Sequence, residues 1–141
     1  MNLQQKLAYG KWVSDNTDKV RQWQRGTNDC CTSFLSMHDT VYGTNELEKV
    51  FDKYTDTRSA IRFYKQMNLT WRQWLTVNDW TQVETSGTGQ EGDIRIIFKK
   101  YPTIYMKHNG VWWANIEERG WTAYENSSWD SVHEYETWRH N

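Results

Sequence analysis

One proline, Pro102, and two cysteines, Cys30 and Cys31, are all that 141 residues contain of either type. Two cysteines cannot make the multi-bridge framework of a small secreted scaffold, so a reducing compartment is the simpler expectation. One proline and no low-complexity block leave no proline-rich linker or repeat array. An excess of either charge is missing too. The formal net charge is −1, which gives no electrostatic case for nucleic acid or an anionic membrane. No apolar run approaches the ~20 residues of a membrane-spanning helix, and residues 1–30 lack the apolar stretch of a secretory signal. Aliphatic side chains are sparse. Ten tryptophans and eight tyrosines must therefore supply much of the core, with surplus rings available for a protein interface. The chain is long enough to hold such a core as one domain, residues 1–141.

The cysteines carry the sharpest signal. They follow Asn28-Asp29 and open a helix-period stretch that runs to Tyr42, with Gly43 as its stop. Asp29 is a good N-cap, because its carboxylate accepts from the free N–H groups of the first turn. That would put Cys30 at the positive end of the helix dipole, which favours thiolate. The same spacing also makes Cys30, Phe34, Met37 and Val41 one buried stripe, in which cysteine is only a small hydrophobe.

The remaining pattern divides the chain. Leu3, Leu7, Trp12 and Val13 predict a first helix, continuing or restarting through Val20 and Trp23 within an N-terminal segment, 1–28. The helical half, 29–80, adds short helices opened at Asn45-Glu46, at Asp56-Thr57 and at Thr70. Thr85 to Gly92 is a turn-rich loop. It imitates a phosphate loop but lacks the Gly-Lys-Ser/Thr ending and leads into a strand. Residues 92–125 alternate as strands, with a tight turn at His108-Asn109-Gly110. The tail, 126–141, is polar and aromatic, with one helical turn expected between Trp129 and Trp138. The fold class is α+β, N-terminal helices followed by an antiparallel meander.

A cysteine at a helix start ahead of an antiparallel sheet resembles the NlpC-type cysteine peptidases, papain-like amidases that cut bacterial cell-wall peptides. Asp29-Cys30 resembles their nucleophile motif and Gly92-Asp93-Ile94 the strand that opens their sheet. Ile104-Tyr105-Met106 and Asn109-Gly110 are similar to the strand and hairpin that follow. Asp29-Cys30-Cys31-Thr32, Gly43 and Tyr54 to Arg62 resemble more closely a phage-associated branch of that superfamily with no assigned activity. The likeness spans roughly residues 20–125.

It implies a papain-like, NlpC-like fold and a histidine heading the second strand to take the cysteine's proton. Tyr101 or Pro102 stands at that place, and tyrosine, with an ordinary pKa near 10, is a poor base. Cys30 is the preferred nucleophile position, with Cys31 the alternative. His108 is the nearest substitute base. His38 lies about 12 Å down the helix, and His133 and His140 could reach the site only if the tail folds back. Asn115, or the position of Ala114, would be the orienting group.

The expectation is a catalytically degenerate papain-like protein of a phage virion or tail. It would need no cofactor or metal and would act in the virion or host cytoplasm. It would bind other virion proteins through Trp112, Trp113, Trp121, Trp129 and Trp138, as an oligomer in one version. The alternative is an active amidase on peptidoglycan using Cys30, His108 and Asn115.

Overall fold

Side chains able to accept backbone N–H groups mark the helix starts in the sequence, and the helices begin there. The computed structural model describes residues 1–17, 22–67, 70–85, 87–99, 101–132 and 134–141. Helix α1 spans Leu3–Thr17, α2 Cys30–Tyr42, α3 Thr57–Gln66 and α4 Trp71–Val77. Asp29, Asp56 and Thr70 cap α2, α3 and α4. Each accepts from the N–H three residues on, and that residue's side chain accepts from the cap in return. Two free donors are thereby satisfied at each start. Gly43 ends α2 in the left-handed region (φ 70), its N–H bonded to the Asp39 carbonyl. A 3-10 turn over Leu47–Lys49 stands where Asn45-Glu46 promised a short helix. Val20 lies outside the described residues, and Trp23 is not helical.

Six strands among the described residues form one antiparallel sheet: β1 Trp80–Val83, β2 Ile94–Ile97, β3 Thr103–His108, β4 Val111–Ile116, β5 Gly120–Tyr124 and β6 Glu136–His140. Their spatial order is β1-β6-β2-β3-β4-β5. The meander holds from β2 to β5, and Asn109 and Gly110 make the β3–β4 turn with positive φ at both (50 and 82), as a two-residue hairpin requires.

The tail departs from expectation. Asn126–Ser131 form a 3-10 segment, and β6 inserts between β1 and β2, with Trp80 opposite His140 and Ile94 opposite Trp138. A half-buried ion pair holds it there. Asp93 accepts from Nε and Nη2 of Arg139 at 2.8 Å each, a two-pronged geometry that fixes register as well as energy.

Helices α1 and α2 contribute to the main core, where Tyr9, Phe34, Leu35 and Met37 join Ile94, Ile96, Ile104 and Met106 from the sheet. Tyr105, Trp112, Ala114 and Trp129 form a second cluster. Along β3, Ile104 and Met106 belong to the first cluster and Tyr105 to the second, the two-residue alternation of a strand buried on both faces. Three of the five expected interface tryptophans are interior: Trp112 is 0 %, Trp129 6 % and Trp138 5 % exposed. In a chain poor in aliphatic residues, rings must fill this volume to native density. Trp113 and Trp121 are half-buried at the margin of the main core.

Candidate functional site

Everything at the candidate site hangs on the residue before the cysteines. Asp29 is wholly buried. Its Oδ1 accepts from the Thr32 N–H at 2.8 Å, and its Oδ2 from the Gly26 N–H at 2.8 Å and the Tyr54 hydroxyl at 2.9 Å. Gly26 has φ +94, and a Cβ there would run into the Tyr54 carbonyl, so only glycine allows the loop to close over the carboxylate. The Tyr54 hydroxyl also meets those of Tyr101 at 2.8 Å and Tyr64 at 3.2 Å. A carboxylate and three phenols thus form one buried polar hub at the head of α2. Burial pushes all three phenols above their ordinary range, and the charge of Asp29 pushes the same way.

The sulfurs face a carbonyl. Cys30 Sγ lies 3.3 Å and Cys31 Sγ 3.9 Å from the Pro102 oxygen. An amide carbonyl accepts a hydrogen bond and takes no proton at neutral pH. Burial, then the neighbouring Cys30 and the charge of Asp29, push the Cys31 thiol up. Desolvation there outweighs the helix dipole, whose effect on a thiol is of the opposite sign.

Pro102, just before β3, reaches both cysteines through its carbonyl, and Tyr101 precedes it. Tyr101 is held in its protonated form. Its ring lies under the Arg25 guanidinium, 4.3 Å away, and the Trp23 ring is 4.6 Å from the same cation. His108, the sequence-level substitute, sits at the other end of β3, about 16 Å along a strand that rises ~3.3 Å per residue. There its Nδ1 is 2.6 Å from the Glu91 carboxylate and its ring stands edge-on to Tyr9. It is not a base for Cys30.

The tail does fold back, but it brings His140 to the far end of the cysteine helix, stacked 3.7 Å from the Tyr42 ring. That is ~18 Å of helix from Cys30. His38 is buried in the core, and His133 lies outside the described residues.

Asn115, on β4, lies beside the start of the cysteine helix. It shares a cleft of about 460 Å³ with Cys30, Trp23, Arg25, Tyr101 and Thr103. Its Nδ2 donates to the Asn28 carbonyl at 3.0 Å, to Asn28 Oδ1 at 2.9 Å and to Ser33 Oγ at 3.3 Å. Its Oδ1 is buried with no hydrogen-bond partner among the described residues. Cysteine and amide are therefore brought together with no imidazole between them among the described residues. The amide instead ties β4 to the loop before α2.

Sequence reasoning missed Arg25, Tyr54 and Tyr64. Their signal, a tyrosine pair ten residues apart near a short helix, has no local chemistry to mark it. Asp93 proves to be a structural anchor for β6.

Among the described residues no group of three or more metal-ligating side chains comes together, and no helix is long and apolar enough to cross a membrane. No protein-family model, no curated protein and no solved structure matches the chain.

Proposed function

We propose that this chain is a phage virion or tail component built on an NlpC-like, papain-like fold that has lost its catalytic base and works by binding other proteins. One observation carries the reading. The place where the resemblance implies a histidine holds Tyr101-Pro102, and both sulfurs are turned to the Pro102 carbonyl. A nucleophilic cysteine needs a partner that accepts its proton and returns it to the leaving amine. Tyr101 cannot do so, because burial holds its proton on.

The decisive experiment incubates the protein with purified peptidoglycan and follows release of amines and soluble fragments, with Cys30→Ala as background. The wild type is expected to release no more than the variant. Hydrolysis that depends on Cys30 would overturn the reading. The virion assignment is checked by mass spectrometry of purified particles, which should contain the chain in stoichiometric amount. Particles without it would remove that part.

A further inference from the structure

Among the described residues the sheet has two outer strands, β1 and β5. An outer strand offers a row of unpaired backbone donors and acceptors, which proteins normally guard with lysine, proline or a bulge. Gly120–Tyr124 has no proline and no charged residue.

Its sequence is complementary to itself. Laid antiparallel about Thr122, Trp121 faces Ala123 and Gly120 faces Tyr124, a large side chain against a small one at each place. Arg119, the last residue of the β4–β5 turn, and Glu125, the residue after β5, flank the strand at its two ends, so the same antiparallel pairing brings the cation of one copy to the acid of the other. A two-fold axis makes each of these pairs occur twice. Arg119 and Glu125 are both exposed, and neither makes an ion pair among the described residues. The two faces are also balanced. Trp121 lies on the helical side, 5.9 Å from Trp12, and Tyr124 meets Tyr105 at 5.4 Å. Each face of the joint would therefore carry an aromatic ring across the seam.

The other outer strand fails the same test. β1 laid antiparallel on itself about its centre brings Trp80 opposite Val83 and Thr81 opposite Gln82, with no small side chain opposite the tryptophan.

We propose that two copies of this chain pair through β5 about a two-fold axis at Thr122, joining their sheets into one continuous sheet. Main-chain hydrogen bonds supply the attraction, as in strand addition. The Arg119–Glu125 pairs set direction and register, since opposite charges across strands attract and like charges repel. The contact is isologous and closes at two copies. It does not depend on what the cysteine cleft does.

Sedimentation equilibrium on the full chain across concentrations to about 100 µM, where even a weak interface is populated, should give twice the 17.0 kDa chain mass. Arg119→Glu and Glu125→Arg, each alone, set like charges against each other twice and should weaken the dimer roughly tenfold. The double exchange should restore it. Thr122→Cys places a thiol opposite its own copy, within disulfide reach, and mild oxidation should trap a covalent dimer. Near-UV circular dichroism on each variant confirms the fold.

A chain that stays monomeric and leaves Thr122→Cys uncross-linked overturns the proposal. So does mass that keeps growing past two copies, or a dimer indifferent to the charge exchanges.

Discussion

Asp29 shows how much one side chain can hold. As a cap alone its loss would cost about 1 kcal/mol. Here the same carboxylate also satisfies the Gly26 N–H and the Tyr54 hydroxyl, and a buried donor left without an acceptor costs about 1–3 kcal/mol more. Asp29→Ala should therefore lower unfolding free energy by roughly 2–4 kcal/mol, read from urea melts.

His38 is a second case. Thr44 gives its hydroxyl proton to Asp39 at 2.6 Å and so must accept from His38 Nδ1 at 2.8 Å. This assigns the tautomer and leaves Nε2 among aromatic rings with no hydrogen-bond partner among the described residues. Burial, helped by nearby His140, depresses the ring's pKa to about 4 from 6.5, against the opposing pull of Asp39 and Glu46. The unfolded chain then takes the proton first as pH falls. The stability from neutral His38 is whole above about pH 6.5 and drains away down to about pH 4. The full loss is of order 3 kcal/mol. His38→Phe should flatten the fall in urea midpoint across that window, and an unchanged slope would refute the assignment.

At the scale of elements, capped helices and the hairpin assemble from their own residues, while β6 depends on a partner far away in sequence. Arg139 reaches Asp93 across 46 positions, and Asp93 is almost fully buried. Breaking such a pair from one side leaves an uncompensated carboxylate, a change that typically costs 3–5 kcal/mol. Because Arg139 keeps 37 % of its side chain exposed, solvent screens part of this and ~2 kcal/mol is the better figure. Arg139→Met should thus loosen β6 selectively. Hydrogen exchange should speed up at Glu136–His140 and along β1 while the β3–β4 hairpin keeps its protection.

Across the whole molecule, β6 joins β1 to the rest of the sheet, so the last strand completes a sheet that begins at Trp80. Residues 136–141 lie between two strands that otherwise would not touch. Deleting them exposes both flanks of the gap and removes Trp138 from the core. The truncated chain should lose its cooperative urea transition and aggregate, as chains with long unpaired edges do. A truncated protein with an intact sharp transition would show that β6 is peripheral.

The sequence by itself determined what is settled within a few residues. Asp29, Asp56 and Thr70 open helices, Gly43 closes one and Asn109-Gly110 turns the hairpin. Caps and turns are contacts between neighbours three or four positions apart, and no other part of the chain is needed to make them. The α+β class followed from the change of period along the chain.

Only the tertiary structure decided where the tail went, which tryptophans were interior and that Tyr54, Tyr64 and Tyr101 converge on Asp29. The Glu136–His140 stretch shows no alternation to announce a strand, because both its partners are supplied by distant segments. A tryptophan reads the same in sequence whether it lies under a sheet or outside it. His108 is close to the site in sequence and remote in space because an extended strand carries it ~16 Å away. Long-range pairing, which the local pattern does not encode, made these choices.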